Sequence, residues 1–417
     1  MNDDHAMAAQ AAIASRVAEL YERYPYPPPI DRIEANVSGW DAARRRAESF
    51  LFCPGRPYSE DRTILVAGCG TVQAARYAVR WPRSRVVGID FSPSAIEYEL
   101  QLKKIHGLEN LELHRIPVER AADLDEHFDL VVCTGVLHHL EDPDAGLAAL
   151  RNVLAADGAM HLMVYASYGR AGVYMLQEYC RRLGLTANDS DIDDVIETLK
   201  ALPSDHPIVK TLRSSPDFSS HAGVADALLH PNDRAYTVAE FTELLNRAGI
   251  RFGRWVRQAP YLPWCGTPAT LPHAEKLRLL PETEQYSALE LFRGTMVRHT
   301  AIAYRSGTAD HTIDFEGDDW MEYVPIRMPD TTIVHDRLPP GASAVLINRN
   351  HTFTDLFLPI DARQERLLEA IDGKRRIRDM GRATADLVAA REFFQQLWRW
   401  DQIVFDTTGT GVRRASD

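Results

Sequence analysis

The sequence predicts an α/β fold, a doubly wound and mostly parallel sheet of seven strands, with a helical insertion and a small α+β region at the C-terminus. Three observations predict it. From Arg62 to Tyr165, short apolar runs alternate with amphipathic segments, as strand–helix units do. The first run leads into a glycine-rich turn that opens a helix. The second ends at Asp90, twenty positions beyond Gly70, the last glycine of that turn.

At roughly 150 residues per domain, 417 residues allow two or three folded units. Hydrophobic residues make up 45% and charged residues 25%, which excludes collagen-like, mucin-like and wholly disordered chains. No run reaches the about 18 apolar residues a membrane-spanning helix needs, and the first residues lack a secretory signal's basic start and apolar core. Cys53, Cys69, Cys133, Cys180 and Cys265 are odd in number and widely spaced, with no metal-ligand pattern. They read as reduced thiols of a cytoplasmic protein that carries no metal. A formal charge of -12 works against a phosphate-neutralising surface, so no nucleic-acid partner and no membrane are expected. A homodimer stays open.

Residues 1–60 read as a helical, proline-rich cap. A helix from Ala8 runs to Tyr24, where Tyr24-Pro25-Tyr26-Pro27-Pro28-Pro29 must end it. The 61–305 region predicts strands at Thr63–Ala67, Arg85–Ile89, Leu111–Ile116, Leu130–Thr134 and Ala159–Tyr165. Predicted helices between them cover Gln73–Trp81, Ser94–His106 and Ala145–Leu154. A polar, helix-prone insertion spans about 171–236 and opens with a predicted helix at Ala171–Leu183. Val238–Ala248 follows, with Thr237 as N-cap and Gly249 as stop. Predicted strands at Arg251–Val256 and Thr300–Tyr304 close the sheet. Residues 306–417 form the accessory region, predicted to end helix–helix–helix–strand at Arg363–Ile371, Ile377–Gly381, Thr384–Trp398 and Gln402–Phe405.

The strongest chemical signal is Ile64-Leu65-Val66-Ala67-Gly68-Cys69-Gly70-Thr71. Glycine permits positive φ and close approach of a ligand, and the following helix points its amides at that ligand. Asp90 at the end of the second strand is placed to accept from ribose hydroxyls. The alternative is a tight turn with a helix-capping aspartate. A dinucleotide fingerprint needs a third glycine where Gln73 stands, so a ligand without a diphosphate fits better than a nicotinamide cofactor.

These residues resemble the class I S-adenosylmethionine-dependent methyltransferases. The resemblance rests on Val66-Ala67-Gly68-Cys69-Gly70-Thr71, on Val87-Gly88-Ile89-Asp90-Phe91-Ser92 and, most specifically, on the stretch from Phe128-Asp129-Leu130 through Thr134-Gly135-Val136-Leu137-His138-His139-Leu140-Glu141-Asp142-Pro143. Asp157-Gly158 stands where the family has its usual turn. The resemblance implies a Rossmann-like sheet and S-adenosylmethionine as cofactor. It implies that Gly68, Cys69 and Gly70 lie under the sugar and methionine portion, that Asp90 holds the ribose diol, and that Phe91 lies against the adenine. Val118 and Glu119 would meet the adenine edge, and Thr134 and Gly135 the methionine end. Val66 and Val72 depart from the family, which often has an acidic residue and a third glycine there. The flanks are similar to a narrower group with a Tyr-Pro-Tyr-Pro segment, and the C-terminal region resembles, weakly, a winged-helix tail.

Methyl transfer draws mostly on proximity, and needs a base only when the nucleophile arrives protonated. The candidates are His138 and His139, although the pair also fits a purely architectural role. Tyr24 and Tyr26 either fold over the pocket, where aromatic faces attract a sulfonium, or dock on the surface as a polyproline segment. His230, Asp233, Arg234 and Tyr236 form either a substrate wall or a turn before a helix. Tyr165, Tyr168 and Arg170 follow the fifth strand at the ligand-binding edge, where Arg170 could grip a carboxylate. The expected acceptor is a small metabolite or natural-product intermediate, methylated at oxygen or nitrogen. The alternatives are a protein or peptide side chain, and a non-catalytic sensor of the cofactor.

Overall fold

The computed structural model describes residues 15–33, 39–308, 311–384 and 386–409. The helix expected from Ala8 is described from residue 15, and residues 15–23 form α1. Its earlier part lies outside the described residues. After α2 (Ala42–Phe52) come β1 (Thr63–Ala67), α3 (Gln73–Arg80), β2 (Arg85–Asp90), α4 (Pro93–His106), β3 (Leu111–Arg115) and β4 (Phe128–Thr134). Then follow α5 (Pro143–Asn152) and β5 (Leu154–Tyr165). The helical insertion is α6 (Ala171–Leu183), α7 (Asp189–Lys200), α8 (Val209–Ser214) and α9 (His221–Leu228). The sheet resumes through α10 (Val238–Arg247), β6 (Ile250–Trp255), α11 (Ala274–Arg278), α12 (Glu282–Arg293) and β7 (Arg298–Arg305).

The seven strands lie in the order β3-β2-β1-β4-β5-β7-β6, with β7 antiparallel to both of its neighbours. The order reverses between β1 and β4, which opens a crevice at their carboxyl ends. The central strands read as near-continuous apolar runs because helices cover both faces. Local signals set the helix starts. Ser92 caps α4 with Pro93 behind it, and Thr237 with Glu240 forms a capping box on α10. Asp157-Gly158 does not form a turn but lies inside β5, beside a register shift opposite Phe128 and Leu130. A side chain at Gly158 would sit 3.0 Å from the Phe128 and Asp129 carbonyls.

The insertion has its own apolar cluster, in which Leu20 and Tyr24 of the N-terminal segment pack with Val173, Leu176, Ile192 and Val224. That packing lays α1 across the crevice as a roof. Beyond β7, β8 (Val324–Arg327) pairs with β12 (Ile403–Asp406), and β9 (Thr331–Val334), β10 (Ala344–Asn348) and β11 (Leu358–Ile360) form a second small sheet. Between them lie α13 (Ala362–Glu369), a 3-10 segment at Ile377–Thr384 and α14 (Leu387–Arg399). Phe315, Trp320, Phe393, Phe394 and Phe405 belong to the same apolar cluster as Phe241, Trp255 and Tyr261. Asp401, buried, accepts from Arg254 Nη2 at 2.8 Å and the Ala259 amide at 3.0 Å, and meets His351 Nε2 at 3.1 Å.

Candidate active site

The turn after β1 is shaped by two left-handed glycines, Gly68 (φ +68°) and Gly70 (φ +57°). The Gly68 and Cys69 amides donate to the Ile89 carbonyl at 2.8 and 3.0 Å, tying the turn to β2. A Cβ on Gly68 would meet Val136 at 2.4 Å, so that position admits glycine alone. The N-terminal segment closes over the turn. Thr71 Oγ1 donates to the Pro27 carbonyl at 2.6 Å, and the Tyr26 carbonyl lies 3.3 Å from where a Gly70 side chain would begin. Glu22 fastens the same segment to the start of α4, accepting from Ser92 Oγ at 2.7 Å and the Ser94 amide at 3.2 Å.

Beneath this roof lies a cavity of about 730 Å³. Asp90 lines it from the end of β2, its Oδ2 accepting the Gly70 amide at 2.9 Å and its Oδ1 the Ser92 amide at 3.0 Å. Burial pushes the Asp90 carboxyl up, and these backbone amides pull it back toward the anion. Each oxygen keeps acceptor capacity for one hydroxyl of a ribose diol. Phe91, Val118 and Glu119 line the cavity as well, and Thr134 and Gly135 (φ +83°) lie at the tip of β4. Gln73 Nε2 donates to Thr134 Oγ1 at 2.5 Å, and Arg76, one turn further along α3, also lines the cavity. A methionine carboxylate would find its cation in Arg76. Val66 is buried in the core and is not among the residues that line the cavity, whereas Val72 does line it. The residues therefore fit S-adenosylmethionine.

A second group of residues at the cavity is polar and mostly buried. His139 lines it, with Nδ1 3.1 Å from the Asn232 carbonyl and 3.7 Å from Asp233 Oδ1. Its ring lies tilted against His230 at 4.0 Å and against His138 at 4.3 Å between centroids. Arg170 lies over the Tyr165 ring, with Cζ 3.5 Å from the centroid, and pairs with Asp233 Oδ2 at 3.6 Å. Gln177 Nε2 donates to the same oxygen at 2.8 Å. Tyr21 Oη donates to Asp226 Oδ1 at 2.9 Å. Burial, then the neighbouring His139, holds His138 well below the usual histidine range, and burial likewise depresses His230. Burial raises Asp226. His138, His139 and Asp233 each bring one potential ligand atom within 4.8 Å of the others, and could hold a metal ion.

Of the residues expected from sequence, Gly68, Cys69, Gly70, Asp90, Phe91, Val118, Glu119, Thr134, Gly135, Tyr26, His139, Tyr165 and Arg170 line one cavity. His138 is packed behind His139, fully buried against Tyr165. Tyr24 points away, its hydroxyl on Asp189 at 2.5 Å. Tyr168 is 44% exposed on the surface. His230 backs His139 from outside the lining. Arg234 donates its amide to the His138 carbonyl, beyond β4, at 3.0 Å, and Tyr236 donates its amide to the Tyr165 carbonyl at the end of β5 at 2.9 Å, while the Tyr236 ring packs on Phe241. Sequence reasoning missed Tyr21, Gln73, Arg76 and Asp226 in the lining. Helical spacing puts Gln73 and Arg76 on one face at the start of α3, and that signal could have found them. No sequence signal links Tyr21 to Asp226.

A nucleoside crevice placed where the strand order reverses, on a sheet whose β7 runs antiparallel, is the arrangement of the class I S-adenosylmethionine-dependent methyltransferases, and this chain carries such a domain. Residues 65–160 match the family model described as a methyltransferase domain. An uncharacterized protein of Synechococcus sp. is 29% identical over 250 residues, 58% of this chain and 60% of that protein. A ubiquinone biosynthesis O-methyltransferase of Alkalilimnicola ehrlichii is 36% identical over 103 residues, 24% of this chain and 40% of the relative. The chain thus spans less than two thirds of either relative. The structure of PKMT2 from Rickettsia typhi in complex with AdoHcy superposes with a TM-score of 0.62 at 14% identity, covering 91% of this chain and 77% of that one. That likeness is one of fold, and it extends well beyond the methyltransferase domain. Among the described residues, no helix is long and apolar enough to cross a membrane.

Proposed function

We propose that the chain transfers the methyl group of S-adenosylmethionine to an oxygen or nitrogen of a small metabolite or natural-product intermediate. The observation that carries the reading is the single cavity lined at one end by Asp90 and the glycine turn and at the other by His139, Tyr165 and Arg170. S-adenosylmethionine, when bound, supplies an electrophilic methyl on a sulfonium centre. The chain's residues bind, orient and shield. Asp90 takes the ribose diol, Gly68 and Gly70 let the backbone approach, and the Tyr26–Pro27 segment keeps water from the turn. Most of the rate enhancement then comes from orientation.

His139 is the base in this reading. With its Nδ1 proton directed at the Asn232 carbonyl and Asp233 behind it, Nε2 carries the lone pair that takes the acceptor's proton. The test is calorimetric titration with S-adenosylhomocysteine, followed by incubation with metabolite extracts and detection of one added methyl. Absence of binding defeats the reading. Binding without transfer to any acceptor makes the chain a sensor. A protein or peptide acceptor is favoured by exposed apolar side chains on the helix that starts beside Arg170, namely Met175, Tyr179 and Leu183, with Tyr168 just before it. Methylated peptides, with unmodified metabolites, would establish it.

A further inference from the structure

The acceptor end of the cavity holds a buried carboxylate with no cation bonded to it among the described residues. Asp226, on α9, is only 4% exposed yet lines the cavity. Tyr21 Oη donates to its Oδ1 at 2.9 Å, and among the described residues no other group donates to it. Two nearby side chains that favour its charged form, His139 and Arg170, are engaged elsewhere, His139 through Nδ1 on the Asn232 carbonyl. Arg170 pairs with Asp233 at 3.6 Å while stacked on Tyr165, and Gln177 completes Asp233 at 2.8 Å. Three rings, Tyr21, Tyr165 and Phe218, line the cavity with Asp226. A carboxylate out of water and without a directly bonded counter-charge is costly, and a cation placed against it and against aromatic faces recovers much of that cost. A neutral hydroxyl recovers less, and a carboxylate would add repulsion.

The geometry points to an acceptor that arrives as a cationic amine, its nitrogen held by the Asp226 carboxylate and ringed by Tyr21, Tyr165 and Phe218. This rests on the methyl-transfer reading and narrows it to nitrogen. The ammonium must lose one proton before its lone pair is free; His139, the base of that reading, takes it while the Asp226 carboxylate holds the nitrogen. The nitrogen lone pair then forms the bond to the methyl carbon as the carbon–sulfur bond breaks, with that electron pair left on sulfur. The product leaves as the methylated ammonium, and the proton on His139 returns to water. Tyr21 acts twice, its ring beside the acceptor nitrogen and its hydroxyl holding the carboxylate in place.

The test uses the full chain saturated with S-adenosylhomocysteine, titrated with n-hexylamine, n-hexanol and hexanoate at neutral pH. Hexylammonium is expected to bind at least tenfold more tightly than hexanol, with hexanoate weakest. Asp226→Asn is expected to abolish that preference while leaving S-adenosylhomocysteine affinity within about twofold, and Tyr21→Phe to weaken it without abolishing it. Equal binding of amine and alcohol, no amine binding at all, or an unchanged preference in Asp226→Asn overturns the proposal. If Asp226 served only to anchor α1, both variants would lose S-adenosylhomocysteine affinity alike and the amine preference would persist. Failure of the wild type to bind S-adenosylhomocysteine would instead defeat the methyl-transfer reading itself.

Discussion

Replacing Asp90 with alanine tests the cofactor assignment most directly. In the folded chain the carboxylate accepts the Gly70 amide at 2.9 Å and the Ser92 amide at 3.0 Å, so it shapes the glycine turn as well as offering acceptors to a ligand. Hydrogen bonds to charged groups contribute roughly 1.5–3 kcal/mol each, and an unfilled buried amide costs about 1–3 kcal/mol. Part of the structural loss is offset, because burial already raises the carboxyl's own pKa. For the ligand, loss of the charged acceptor is expected to weaken binding by about 1–3 kcal/mol, or roughly 5- to 150-fold at 1.4 kcal/mol per decade. Calorimetric titration with S-adenosylhomocysteine reads that shift, and thermal unfolding separates it from loss of fold. Asp90→Asn keeps one acceptor and should fall between the wild type and the alanine variant. Affinity within twofold of wild type in a folded Asp90→Ala protein would refute the ribose assignment.

Gly68→Ala forces a side chain into φ +68° and 2.4 Å from Val136, so about 1–2 kcal/mol of stability from the backbone alone and more than tenfold in S-adenosylhomocysteine affinity should be lost; an unchanged melting temperature would contradict it. His139→Gln should lower kcat about 10²- to 10⁴-fold without moving S-adenosylhomocysteine affinity, and full turnover would remove histidine from the chemistry. Glu99, buried under the start of α3, accepts the Ala74 and Ala75 amides at 2.8 and 2.9 Å, yet burial pushes its carboxyl up to about 8. A raised folded value means that its contribution to stability is complete below the ordinary glutamate range and declines as pH rises through about 8, by at most about 5 kcal/mol; Glu99→Gln should flatten that slope in pH-dependent unfolding. Asp401→Ala strands Arg254 in the core and should cost about 3–5 kcal/mol in denaturant unfolding, whereas a surface-like loss below 1 kcal/mol would mean the pair is dispensable.

What the sequence made legible follows from how local the signals are. β1 and β2 are uninterrupted apolar runs flanked by glycine and aspartate, so period, ends and ligand-facing residues were all readable. The capping box at Thr237 and Glu240 and the helix at Ala171–Leu183 are similarly local. Strands β8 to β11 were not anticipated. They are three to five residues long, two of them contain proline, and such short runs carry no usable periodicity. Within the site, the cofactor end sits on the ends of β1, β2 and β4, where a motif fixes each position. The acceptor end is assembled from α1, β5, α9 and the loop around Asn232, and Tyr21 meets Asp226 across a separation of 205 residues. Adjacent His138 and His139 show the other limit, because only backbone direction decides which ring reaches the cavity.

The stretch from Tyr21 to Pro27 touches both ends of the cavity, through Pro27 on the glycine turn, Glu22 on α4 and Tyr21 on Asp226. A wall common to two occupants makes them thermodynamically linked. Whichever molecule enters first fixes that wall, so the second meets a surface whose ordering entropy has already been lost. Donor and acceptor should therefore bind with positive cooperativity, and by reciprocity each should tighten the other by the same factor.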